Sequence, residues 1–145
     1  MNRHSQIADA VTAAINTASL GAFVAVRRAR PNATREELEA GVAQVIPSTF
    51  ACQSADRART TAYYGIDVGI QQALNPDNLP AFDALLDLMH AIRSLFELKR
   101  LPGCSVAAWQ TTETVPGAEA GYAVEHLNDK GTFTGVWRFT FMVTE

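Results

Sequence analysis

The amino-acid sequence predicts an α+β fold: a mainly antiparallel sheet, a long helix packed on one face and a shorter N-terminal helix. Two segments, 61–74 and 132–144, alternate their side chains between an apolar and a more polar face, as half-buried strands do. A third segment, 80–100, repeats apolar residues at helical spacing. Most connections between the predicted strands are too short for a helical crossover, which favours antiparallel pairing.

The composition is typical of one globular domain spanning 1–145. The chain has 145 residues, of which 48% are hydrophobic and 19% charged, so it can bury a substantial core. Its net charge of -3 argues against a dedicated nucleic-acid-binding protein, which would carry a basic excess. We expect a cytoplasmic protein before any assembly, since the first residues lack an export signal and no apolar run could cross a bilayer. Cys52 and Cys104 are expected there as thiols.

The first helix is predicted over about 5–19, where apolar residues recur at helical spacing. A strand over 22–30 follows and turns basic before Pro31 breaks it. The segment Thr34 to Glu37 reads "TREE", which has capping-box spacing and predicts a short helical turn.

The middle of the chain is predicted as two strands separated by a polar loop. The first, 41–48, is expected to stop at Pro47, and 49–60 is expected to be a mobile loop. The second covers 61–74, where Gly65 and Gly69 lie on one face and indicate a bulge or the close approach of another backbone.

The remaining elements are the long helix over 80–100, a strand over 104–109, a loop over 110–121, a short extended segment over 122–127 and the final strand. The helix carries acids early and bases late, which complements its dipole. The final strand has one aromatic face, predicted to lie in the core beneath the helix: Phe133, Gly135, Trp137, Phe139, Phe141 and Val143.

The second face of the final strand carries Thr134, Arg138 and Thr140 together with Val136 and Met142. It contains no acid, histidine, serine or cysteine that could do chemistry. Two interpretations stay open: an ordinary solvent-facing side of a sheet, or a moderately polar surface covered by another subunit.

Charged residues supply the other candidate contacts. Two groups of arginines follow the first strand and lie in the predicted loop: Arg27, Arg28, Arg30, Arg57 and Arg59. They are either a solvated surface or a patch that meets an acidic partner or a second copy of the chain. Asp67, on a strand face of small and polar residues, is a candidate complement, and such pairs set orientation more than affinity.

Catalytic and metal-binding patterns are weak. Glu125, His126 and Asp129 could in principle hold a metal, but the ligand set is thin and solvated side chains are the favoured interpretation. Neither cysteine has a nearby base in sequence, and no phosphate-binding glycine loop opens a helix. The sequence therefore predicts no catalytic residue, no metal and no cofactor.

The order of these segments resembles a family of small tailed-bacteriophage structural proteins, the minor tail or tail-completion proteins similar to tail terminators. The stretches that carry the resemblance are "IDVGIQQAL" with the helix after it, and "EHL" followed by "FTGVWRFTFMV" at the end. The resemblance covers almost the whole chain in order. The loops 49–60 and 110–121 differ freely in such families, so no contact residue is carried over there.

The resemblance implies a structural virion protein without enzyme activity. Its expected partners are copies of itself in a ring, often of six, the tail tube protein and the head–tail connector proteins, with no membrane and no sequence-specific nucleic acid. Its expected location is the tail or neck of the virion. Two alternatives stay open: a neck or head-completion protein, and a small-molecule-binding or catalytic α+β domain with a site between helix and sheet.

Overall fold

The computed structural model describes residues 2–21 and 23–145, which form an α+β domain. Within these residues, six strands form one sheet in the order β1-β2-β3-β6-β5-β4. The elements in chain order are α1 (Arg3–Thr17), β1 (Val24–Arg27), α2 (Arg35–Ala40), β2 (Val42–Ser54), β3 (Thr60–Ala73), α3 (Leu79–Phe96), β4 (Arg100–Leu101), β5 (Cys104–Glu113), α4 (Val124–Lys130) and β6 (Thr132–Thr144).

The α+β class is confirmed, but the sheet is mixed. β1 runs parallel to β2, and the other neighbouring strands pair antiparallel. Parallel pairing requires a crossover, and the segment between β1 and β2 supplies one that contains α2. The capping box predicted at its start is present, because Thr34 accepts a hydrogen bond from the Glu37 amide and Glu37 accepts one from the Thr34 amide. The prediction of a mainly antiparallel sheet missed this first strand pair.

Two helices of similar length cover one face of the sheet. α3 has 18 residues and α1 has 15, so the expected contrast between a long and a short helix is slight. α1 packs against β1, β2 and β3, whereas α3 packs against β6. Asn2 caps α1 and Asn78 caps α3, each through its side-chain oxygen, which satisfies an amide of the first turn.

The core lies between these helices and the sheet, as the apolar face of the final strand predicts. Phe139 and Phe141 are fully buried and pack edge-on against Phe96 of α3. Trp137 is only half-buried, and its indole N–H donates to the backbone oxygen of Met89 at 2.8 Å. Gly135 has no side chain where Met89 approaches, which lets α3 lie close to β6.

The prediction that β2 stops at Pro47 is wrong. β2 continues to Ser54, and its register against β3 shifts between Pro47 and Phe50. Proline is tolerated because β1 pairs with β2 only as far as Val45, so beyond it the outer edge of β2 has no partner strand within the described chain. The mobile loop predicted over 49–60 is therefore mostly strand.

The second half of the chain contains further differences. α3 ends at Phe96 instead of Arg100, and β4 follows. The strand predicted over 104–109 extends to Glu113, which shortens the loop predicted over 110–121. The predicted strand 22–30 shrinks to β1, and Ala22 lies outside the described residues.

The segment predicted as extended, 122–127, instead leads into a short helix, α4. Ala123 and Leu127, four residues apart, are both buried, which is helical spacing. The helix ends at Gly131, whose φ of 60° places it in the left-handed region that glycine adopts without strain. Six residues are too few for the alternation of apolar and polar side chains to distinguish a strand from one or two helical turns.

Candidate assembly interface

The face of the sheet opposite α1 and α3 carries the central candidate residues, and we call its middle part the open face. It consists of Tyr63, Gly65, Asp67, Arg138, Thr140 and Met142. These residues are three directly paired positions of β3 and β6: Tyr63 with Met142, Gly65 with Thr140, and Asp67 with Arg138. All except Gly65 are half-buried.

Asp67 and Arg138 form a two-pronged ion pair at the centre of the open face. The Arg138 Nε donates to Asp67 Oδ1 at 2.8 Å, and a terminal guanidinium nitrogen donates to Oδ2 at 3.0 Å. The Ser48 hydroxyl adds a third hydrogen bond to Oδ1 at 3.1 Å. The hydrogen bonds that Arg138 donates to Asp67 raise the pKa of Arg138 further above its ordinary value. The two charges of the pair thus compensate each other within one chain, and the two-pronged geometry fixes the orientation of the guanidinium on the carboxylate.

The bulge of β2 covers one part of the open face. A Cβ on Gly65 would overlap the Thr49 hydroxyl and would lie 3.1 Å from the Ser48 hydroxyl oxygen. Glycine at position 65 thus lets the two bulge side chains lie flat over β3. The bulge places Ser48 where its hydroxyl reaches Asp67, so the same irregularity supports the ion pair.

The two arginines at the end of β1, Arg27 and Arg28, form ion pairs or hydrogen bonds within the chain. Arg27 contacts Asp9 at 3.1 Å and the Ser5 hydroxyl at 2.8 Å, which joins β1 to α1. Arg28 forms two hydrogen bonds to Glu37 of α2, and its side chain is 21% exposed. The Arg27 guanidinium therefore ties β1 to α1, and the Arg28 guanidinium holds the crossover in place.

The other predicted arginines differ in their surroundings. Arg59 pairs with Asp56 in the turn between β2 and β3 at 2.8 Å. Arg30 and Arg57 are exposed and make no hydrogen bond or ion pair with any described residue. Of the five predicted arginines, Arg30 and Arg57 are therefore the two whose guanidinium groups have no partner within the described chain.

The structure therefore brings together only some of the predicted interface residues. Asp67, Arg138 and Thr140 are neighbours on the open face. Thr134 lies further along β6, is 9% exposed and has its hydroxyl 3.1 Å from Nδ1 of His126. The β1 arginines and the turn arginines belong to separate regions. Asp67, proposed as a complement for arginines of another copy, is engaged by Arg138 of its own chain.

Sequence reasoning missed two residues that shape this surface. Ser48 and Gln44 both belong to β2, and Gln44 is only 2% exposed. The sequence does contain a sign of the role of Gln44, because it is the one amide in the apolar run Val42–Ile46. A polar side chain in such a buried run needs a hydrogen-bonding partner. Ser48 carried no such signal, since a register shift cannot be read from one strand alone.

The cysteines and acids show no built metal site. Cys52 is exposed and Cys104 is half-buried, and both are free thiols. Among the residues that the structure describes, no three His, Cys, Asp or Glu side chains lie together in a way that could hold a metal ion. No helix in the described ranges is long and apolar enough to span a membrane.

The chain was also compared with known proteins. It matches no protein-family model and no curated protein.

Proposed function

We propose that this protein is a structural, non-enzymatic virion assembly protein of the tail-terminator kind. In this proposal, copies of the chain form a ring that closes the end of a tail tube and docks to the head connector. The ring, its six-fold symmetry and the two partners come from the resemblance of the sequence to that family. The geometry of the open face is what supports association between copies.

The open face carries the proposal because its chemistry suits a protein–protein contact. Tyr63 and Met142 are residue types enriched in such contacts, and Thr140 lies between them and the ion pair. Asp67 and Arg138 neutralise each other, so covering them does not bury an unpaired charge. A partner surface could cover this face without the penalty that an isolated charge would impose.

A ring places one further demand on the surface. Each copy must contact its neighbours through two different patches whose relation closes the ring. Arg30, after β1, and Arg57, in the turn between β2 and β3, are outside the open face and lack partners within the described chain, so each is a separate candidate for the second patch. Their role would be to set the orientation of the neighbouring copy.

Light scattering after size exclusion tests the proposal. We expect the mass to rise with concentration towards one discrete species, seen as rings by negative-stain imaging. Thr140→Glu introduces a charge into the open face and should shift the species back to a monomer. The matched control is Ala84→Glu, which puts the same carboxylate at an exposed position of α3 on the opposite side.

The outcomes separate the competing functions. A wild-type protein that is monomeric at every concentration would contradict self-assembly through the open face in the absence of a tail tube and would favour the small-molecule-binding alternative. Loss of the large species in both variants would show that the effect is not specific to the open face. A neck or head-completion protein would use the same surface and differ only in the component that it meets.

A further inference from the structure

A polar hollow lies beyond the open face, between α4, the start of β6 and the crossover that contains α2. Its volume is about 350 Å³. The lining is formed by Pro31, Asn32, Ala33, Leu38, Gln71, His126, Lys130, Thr132 and Thr134. These side chains include one ammonium, one imidazole, two amides and two hydroxyls, and no carboxylate.

α4 brings two polar side chains to one side of the hollow. His126 and Lys130 are four residues apart, which places them on the same face of a helix. Nδ1 of His126 lies 3.1 Å from the Thr134 hydroxyl, which holds the ring and leaves Nε2 unoccupied. Lys130 makes no side-chain hydrogen bond or ion pair with any residue in the described ranges.

A chain of hydrogen bonds orients the donor on the opposite side. The Gln44 side-chain oxygen accepts from Arg28 at 2.9 Å and from the Asn32 amide at 2.8 Å. Both partners can only donate, so Gln44 must present its oxygen to them and its NH2 group to Gln71. Gln44 Nε2 donates to Gln71 Oε1 at 2.6 Å, which uses the acceptor of Gln71.

The consequence is that Gln71 offers its NH2 group to the hollow that it lines. Gln44 is 2% exposed, so water does not compete for these bonds and the orientation is stable. Arg28, which is itself hydrogen-bonded to Glu37, therefore determines which end of the Gln71 side-chain amide faces the hollow, two strands away. The hollow collects donors from α4 and β3, with one permanent positive charge from Lys130.

We propose that this hollow binds a carboxylate group. One ammonium with neutral donors matches a single negative charge shared between two oxygens. A phosphate dianion is a poorer match, because the lining of the hollow contains no second permanent cation to offset its second charge. The carboxylate belongs either to a small free acid or to an acidic side chain of a polypeptide.

Proton–nitrogen NMR tests the proposal with sodium acetate as the probe, added at constant ionic strength against sodium chloride. We expect saturating shifts of the Gln71 side-chain amide and of the α4 amides around His126 and Lys130. Lys130→Gln should weaken acetate binding by roughly tenfold or more. The control is Lys99→Gln, which removes an exposed lysine whose ammonium donates to the Ser94 carbonyl oxygen, and it should leave acetate binding unchanged.

A second arm identifies the source of the carboxylate. A short glutamate-rich peptide is compared with the same peptide carrying glutamine. Saturation by acetate supports a site for free acids, and saturation by the acidic peptide alone supports a polypeptide partner. Shifts that stay linear for both probes, or that persist in Lys130→Gln, overturn the proposal. If Lys130→Gln does not fold, Gln71→Met removes the opposing donor and replaces it.

The result is independent of the ring. Oligomeric state is measured by light scattering and depends on the open face, whereas acetate binding depends on the hollow. Either proposal can therefore fail while the other stands.

Discussion

At the scale of single residues, the Asp67–Arg138 pair is the feature that most constrains the open face. The two side chains are 20% and 27% exposed, so they are neither solvated nor fully buried. Removing one partner of such a pair costs more than breaking an exposed salt bridge, because the charge that remains has lost part of its water and is no longer compensated. Both carboxylate oxygens of Asp67 accept hydrogen bonds, Oδ1 from Arg138 and Ser48 and Oδ2 from Arg138.

Removing one partner should therefore destabilise the fold. We expect Arg138→Met to lower the free energy of unfolding by about 1–3 kcal/mol, since Asp67 would keep only the Ser48 hydroxyl. Urea denaturation measures the change. Arg35→Met is the control, because its pair with Glu39 is largely exposed, with 90% and 65% of the two side chains accessible. Equal effects for the two substitutions would mean that partial burial does not raise the cost of breaking the central pair.

At the scale of elements, the bulge in β2 shapes the sheet more than any loop does. It shifts the register after Pro47, bends two side chains over Gly65 and brings Ser48 to Asp67. The sequence predicts that β2 stops at Pro47, but β2 continues to Ser54 in a shifted register. The open face, and with it the proposed interface, depends on this irregularity.

Two glycines of the same strand face provide a matched test of the bulge. Gly65→Ala places a methyl group against the Thr49 hydroxyl, and we expect a loss of about 1–3 kcal/mol in the free energy of unfolding. Gly69→Ala meets its nearest atom at 3.8 Å, so it should be neutral or slightly stabilising. Thermal or urea unfolding of both variants measures this. Similar losses at the two positions would contradict the close approach of the bulge.

Adding Thr49→Ala to Gly65→Ala should recover part of the lost stability. The substitution removes the hydroxyl that the new methyl group meets, while the Ser48 hydroxyl and the Thr49 backbone nitrogen remain 3.1 Å away. A double variant no more stable than Gly65→Ala alone would place the strain elsewhere.

At the scale of the whole molecule, four carboxylates are held by hydrogen bonds, and one of them, Glu145, ties the end of β6 to the start of α1 through Arg3. Hydrogen bonds from the Thr34 amide and Arg28 lower the pKa of Glu37, and the Ala58 amide and Arg59 lower the pKa of Asp56. A hydrogen bond from Arg3 lowers the pKa of Glu145, and one from the Gly117 amide does the same for Glu119. The ionised forms are thus favoured in the folded chain.

Acid should therefore destabilise the protein through these groups. A carboxylate whose pKa is lower in the folded chain stabilises it above the ordinary value, which is 4.5 for glutamate. That stabilisation is lost as pH falls through the lower, folded pKa. We expect the melting temperature to fall from about pH 5 downwards, and to fall less in Glu37→Gln. Glu36→Gln, which removes a neighbouring exposed carboxylate, is the control, and an identical pH profile for the two variants would exclude Glu37 as a contributor.

Local patterns in the sequence were enough to predict the α+β class, the existence of α1 and α3, the packing of α3 on the sheet and the aromatic core face of β6. Each depends on side-chain periodicity within one element, which hydrophobic burial makes regular. The same periodicity failed at α4, where the segment was too short, and at Pro47, where an open edge tolerated a residue that a central strand would exclude.

The tertiary structure alone decided which strands pair and which polar groups meet. Strand order and register determine three features that no local pattern predicts. These are the parallel pairing of β1, the ion pair between Asp67 and Arg138 across 71 positions of sequence, and the hydrogen bonds that link Arg28 through Gln44 to Gln71. Periodicity is set by neighbours a few residues away, so the sequence alone could determine the elements and their buried faces. Register is set by packing across the whole sheet, and the candidate interface and the polar hollow arise from that packing.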